Sequence, residues 1–177
     1  MVTSITAGSQ AYANEGLDDS VFKEVRPEAF LLQLMRLKNI DFDVGIVSGD
    51  KGISSLNMND GITIFGIQKN EFGSKKIIGL HLQNIQIVTE ENIRYYFEDA
   101  NATSTDIYLI GGSSESIRNG LVDTIKQKLN QVLGEKFKIV EEKLNILRNR
   151  YISASLNTKG EFTFCRHRQR INIYGGE

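Results

Sequence analysis

Apolar and polar positions along this chain follow two different periods, and the switches between them mark its elements. Pro27 suits a first helical turn, and Phe30, Leu31, Leu34, Met35 and Lys38 follow the stripe of a helix lying on a core, which the spacing ends near Asn39. Short runs rich in β-branched and aromatic residues follow over 41–47, 61–68 and 75–88, with turn chemistry at 59–61 and 70–74. Within the last run Ile85 and Ile87 alternate with Gln86, the period of a half-buried strand. This part reads as a meander of strands.

Thr89 has the character of a helix N-cap, with Glu90 and Glu91 in the first turn where the helix dipole favours them. Residues 101–105 read as a polar loop and 106–110 as a strand that runs into Gly111, Gly112, Ser113 and Ser114. From there Ile117, Leu121, Ile125, Leu129 and Leu133 recur every fourth residue, one amphipathic helix closed by Gly134. Stretches 137–140, 151–156 and 161–165 predict closing strands, the last two joined by a hairpin turn at 157–160. The sum is an α+β fold, about seven mostly antiparallel or mixed strands packed with three or four helices.

Composition narrows the picture. A chain of 177 residues, 40% hydrophobic and 24% charged, is the size of one domain and has the balance of a globular one. The expected division is a tail over 1–18 and a single domain over 19–177. Twenty-one Lys and Arg stand against 22 Asp and Glu, a net charge of −1 that gives no general attraction to nucleic acid. The longest apolar cluster, around 30–37, is too short to cross a bilayer. The tail lacks a basic region before an apolar run, so it does not resemble a signal peptide. The expected location is the cytoplasm, or export without a cleavable signal.

Three clusters carry candidate chemistry. Gly111, Gly112, Ser113 and Ser114 form a strand-to-helix turn of the kind that admits an anion or nucleotide, although no Lys stands in the phosphate-loop position and the three-glycine dinucleotide pattern is absent. The plainer reading is a tight turn with a Ser N-cap. Cys165, the sole cysteine, and His167 share one side of a strand, about 6.6 Å apart along the chain. They suit a thiol nucleophile and its base, or else a half-buried Cys and a surface His. A metal would need a further ligand such as His81, and neither metal nor cofactor is expected. Arg166, Arg168 and Arg170 form a basic segment, fit to contact phosphates or an acidic protein surface, or else to be a charged, aggregation-resistant edge strand.

The order of these elements resembles the bacterial chemoreceptor glutamine deamidase CheD and, more distantly, the catalytic domain of the cytotoxic necrotizing factor toxins. Residues 44–50 (Val-Gly-Ile-Val-Ser-Gly-Asp) look like the opening strand of that family, and 76–82 (Lys-Ile-Ile-Gly-Leu-His-Leu) look like the strand that carries its histidine. Residues 106–112 are similar to its Phe-Gly-Gly strand end, and the hairpin around Thr158, Lys159 and Gly160 has its counterpart. The resemblance implies a cysteine thiolate attacking a glutamine side-chain amide, His81 as base, and a threonine or other polar group orienting the histidine. The implied cysteine belongs in 61–68, where Thr63 is the sole hydroxyl and no cysteine occurs. One implication is a scaffold that has lost the reaction and binds a protein partner. A second is an active amidohydrolase in which Cys165 pairs with His167 or His81. A third is an anion or nucleotide sensor at Gly111–Ser114.

Overall fold

A computed structural model describes residues 20–41, 45–48, 50–147 and 150–173, so the expected tail, Val44 and Gly49 of the opening motif lie outside the described residues. Ten strands and four α-helices are described: β1 (Phe22–Glu24), α1 (Pro27–Gln33), β2 (Leu37–Ile40), β3 (Gly45–Ser48), β4 (Gly52–Met58), β5 (Ile62–Asn70), β6 (Lys75–Leu82), α2 (Glu90–Phe97), β7 (Ala102–Gly111), α3 (Ser114–Arg118), α4 (Leu121–Leu133), β8 (Phe137–Leu144), β9 (Tyr151–Leu156) and β10 (Phe162–His167). They form two mixed five-stranded sheets, ordered β1-β10-β9-β4-β2 and β3-β6-β5-β7-β8. The α+β class holds, with more strands than the sequence suggests.

Three apolar clusters stack the layers. Ile62, Ile64, Leu80 and Leu109 on one face of the second sheet pack against Ile93 and Phe97 of α2 and Leu121, Ile125 and Leu129 of α4. The opposite face, through Phe65, Ile77 and Ile110, meets Ile53, Ile152, Leu156, Phe162 and Phe164 of the first sheet. Phe30 and Leu34 then cover Leu56 and Cys165 on the outer face of the first sheet. The order is therefore helices, sheet, sheet, helix. Central strands buried on both faces carry near-continuous apolar runs, which is why β5 and β6 show no clean alternation.

Several expectations need correction. The first helix stops at Gln33, a 3-10 turn covers Leu34–Arg36, and Leu37–Ile40 is a strand pairing in parallel with β4. The stripe continued numerically, but Lys38 is an exposed strand residue. Ile85–Ile87 is a 3-10 turn capped by the Asn84 side chain, which accepts from the Gln86 amide, so its alternation is not a strand's. Residues 102–105 belong to β7. The helix expected through Ile117 and Leu133 is broken between α3 and α4, where Gly120 adopts φ +91°, a left-handed conformation that a helix interior does not contain. Gly134 closes α4 as expected. The segment 52–58 is a fully buried strand although it carries two serines and an asparagine, because each is bonded: Ser54 to Asn39, Ser55 to Thr63 at 2.6 Å, and Asn57 to the backbone of Ile171.

The β4 pairing contains the feature that shapes the site. Between Ser55 and Met58 the strand holds two residues against the single Ser153 of β9, a β-bulge, and Asn57 sits there at φ +60°. The bulge turns Asn57 outward to grip the chain after β10. Its amide nitrogen donates to Ile171 O at 3.0 Å while its carbonyl accepts from Ile171 N at 2.8 Å.

Candidate functional site

A cleft of about 270 Å³ opens at one end of the two sheets, where Asp41, Asn57, Asn59, Asp60, Gly61, His81, Gln83, Tyr151 and Arg170 converge. His81 lies near the end of β6, directly opposite Thr63 on β5, and faces the first sheet. Its ring is 4% exposed and neither nitrogen has a hydrogen-bond partner. Burial pushes its pKa down to about 4, so the imidazole is neutral near pH 7, with one N–H donor and one acceptor nitrogen. Gly61 makes the approach possible: a Cβ there would lie 2.8 Å from His81 Nε2 and 2.7 Å from Leu82 O.

Thr63 does not orient this histidine. Its hydroxyl pairs with Ser55 Oγ and contacts Met58 Sδ at 3.0 Å, so register neighbours on adjacent strands remain chemically separate. Arg170 reaches the lip of the cleft and pairs with Asp41 at 2.7 Å.

Cys165 belongs elsewhere. It is 0% exposed, in the cluster beneath α1 on the outer face of the first sheet, whereas His81 lies between the sheets. Burial is the main cause that pushes its thiol up to about 12; the Glu24 charge adds to this, and a hydrogen bond with the Ser153 backbone offsets part of it. A thiol held in that state is a poor source of thiolate. The half-buried Cys and surface His of the plainer sequence reading are both fully buried instead.

His167 shares the face of Cys165 but is committed to structure. The Asn57 backbone N–H donates to Ser153 Oγ at 2.9 Å, Ser153 Oγ meets His167 Nε2 at 2.8 Å, and His167 Nδ1 meets Gln169 O at 2.8 Å. Because a carbonyl only accepts, Nδ1 carries the proton and Nε2 accepts from the serine hydroxyl. The ring also stacks on Tyr151, centroids 5.6 Å apart, which places that tyrosine on the cleft wall.

The turn at Gly111–Ser114 is accounted for by packing and capping. Gly111 and Gly112 have φ of +118° and +83°, and a Cβ on Gly111 would meet Gly61 O at 2.6 Å. Ser113 and Ser116 form a reciprocal capping box, Gly112 N donates to Gly61 O, and Ser114 Oγ donates to Asn145. Helix α3 has five residues, too few to present a sustained dipole to an anion.

The basic segment is not an edge. Strand β10 lies between β1 and β9. Arg166 pairs with Glu24 at 3.0 Å and lies over the Phe164 ring, and Arg168 is exposed. With Pro27, Leu31 and Ile171, the three arginines line a groove of about 540 Å³ beside α1.

Among the described residues, no group of three or more His, Cys, Asp or Glu side chains is placed to hold a metal ion. No helix among them is long and apolar enough to cross a membrane. The sequence matches no protein-family model and no curated protein. Sequence reasoning singled out His81 but missed Asn57, Asp60, Gln83 and Tyr151. The Asn59-Asp60-Gly61 turn was the one legible hint.

Proposed function

We propose that this chain is a CheD-like scaffold without cysteine-dependent deamidation, and that it binds a protein partner through α1 and the arginine segment that begins at the end of β10. The observation that carries this reading is a mixed apolar and basic face. Leu31, Leu32 and Met35 are 47%, 84% and 94% exposed, while Phe30 and Leu34 of the same segment fill the core. Leu31 lines the same groove as Arg166, Arg168 and Arg170. Solvated residues of this size collected on one short element mark interaction surfaces. Arg36 and Arg168 have no ion pair among the described residues, so the face carries uncompensated positive charge. The matching occupant is an acidic segment of a partner protein with apolar side chains spaced to cover α1.

The buried thiol supports the same reading. The cleft holds a histidine and carboxylates without the sulfur, and the sulfur sits under α1 without a free base.

A fluorescent amphipathic peptide of leucine and glutamate tests the docking face by anisotropy. Binding is expected to weaken at least tenfold in Leu32→Glu or Arg168→Glu and to fall with salt. Equal affinity for a lysine-containing peptide of the same apolar pattern overturns the charge argument. Self-association lost in Leu32→Glu assigns the face to a second copy instead. Ammonia release from a glutamine-bearing protein, abolished in Cys165→Ala, restores the amidohydrolase.

A further inference from the structure

We propose that the cleft at the open end of the sheets binds a small neutral polyhydroxylated molecule, about the size of a single sugar ring, with His81 as its central recognition group. This goes beyond the partner-binding reading, and the two surfaces share only Arg170 among their lining residues.

The fold leaves a strongly polar ring almost wholly out of solvent with both nitrogens unsatisfied, on the wall of a cleft. A buried polar group without a partner costs about 1–3 kcal/mol. His167 shows that this chain satisfies an imidazole when it serves only structure, through Ser153 and Gln169. The donor and acceptor of His81 are thus unanswered by the protein, beneath the surface of the cleft that the ring lines.

The lining selects the ligand class. Arg170 is already paired with Asp41 at the lip, and Asp60 adds a carboxylate, so the wall repels anions. A neutral imidazole presents one donor and one acceptor, which a hydroxyl answers in both senses, whereas a carboxylate only accepts and an ammonium only donates. Asn59, Asp60, Gln83 and Tyr151 multiply this mixed pattern around the cleft. Each sugar hydroxyl can take and give a hydrogen bond to such a wall. The volume, about 270 Å³, falls just below the roughly 300 Å³ lower end of ordinary small-molecule sites, so the occupant is small.

The test uses the full chain labelled with 15N-histidine. Glucose, galactose, mannose, ribose and myo-inositol are titrated separately, with sodium acetate and ammonium chloride as controls at equal concentration. At least one polyol is expected to move the ring-nitrogen resonances of His81 and leave those of His167 in place. That polyol is also expected to raise Tm by about 3–5 °C at tenfold excess over Kd. His81→Leu, which removes the unsatisfied group and keeps the fold, loses both responses, while Arg168→Glu keeps them and separates this site from the docking face. The proposal is overturned if no polyol moves His81 at about 100 mM, where a site with a Kd of that size is half filled. It is equally overturned if acetate or ammonium moves His81 and the polyols do not, or if Tm rises alike in wild type and His81→Leu.

Discussion

The molecule contains two histidines, and they are nearly equal in burial, 4% exposed at position 81 and 6% at 167. Desolvation lowers the pKa of both. Their surroundings differ in one respect. His167 closes a chain of hydrogen bonds from the Asn57 backbone N–H through Ser153 to Gln169 O, while neither nitrogen of His81 has a partner. Burial by itself therefore does not tell whether an imidazole is tied into the fold by hydrogen bonds; the partners of its nitrogens do. His167 ties the segment after β10 to the bulge in β4, and that tie carries Arg170 and Tyr151 to the cleft which His81 lines.

The largest effect expected from breaking this contrast is at His167. His167→Ala leaves Ser153 Oγ and Gln169 O without their partner and opens space beside Tyr151, at a cost of about 3 kcal/mol in urea denaturation. His81→Leu, a swap of similar size at similar burial, is expected to stay within about 1 kcal/mol of wild type or to exceed it. Equal losses at the two positions contradict the assignment.

Acidity sharpens the same contrast. His81 binds its proton at about pH 4 in the folded chain and near 6.5 when unfolded, so between these values the unfolded state holds more protons. Stability accordingly falls as pH drops from 6.5 towards 4, and the His81 contribution amounts to about 3 kcal/mol. His167 contributes with the same sign, so the diagnostic quantity is the difference between wild type and His81→Leu. Denaturation at pH 7 and pH 4.5 is expected to show a markedly smaller loss in the variant; parallel losses in both contradict it.

Cys165 offers a smaller effect. Iodoacetamide at pH 7.5 is expected to label native Cys165 far more slowly than the urea-unfolded chain, and Cys165→Ala to cost about 1–2 kcal/mol without altering peptide binding. Rapid native labelling contradicts the buried thiol. Smallest of all is Arg168→Glu, whose stability is expected within about 0.5 kcal/mol of wild type because the side chain is exposed, even as docking weakens.

What the sequence revealed follows the same physics. Long amphipathic or apolar stretches such as α4, β5 and the β9–β10 hairpin were legible because burial imposes their pattern locally. Strand β4 was not, since Ser54, Ser55 and Asn57 read as loop residues until partners from β2, β5 and the segment after β10 satisfy them. The break at Gly120 was hidden because Ile117 and Leu121 keep the four-residue spacing across it. At the site, His81 stood out as a residue type with few other uses, but its separation from Cys165 depends on which face of which sheet each occupies. Asn57 and Tyr151 join the cleft only through a bulge and a ring stack between distant segments.

The central claim, that one buried imidazole is committed to the fold and the other is held vacant for a ligand, is most directly tested by 15N NMR of the two rings between pH 8 and pH 4. The account predicts His167 as a single tautomer protonated at Nδ1, and His81 neutral until about pH 4 with neither nitrogen shifted by a hydrogen bond from the protein. His81 titrating near 6.5, or locked in one tautomer like His167, would contradict it.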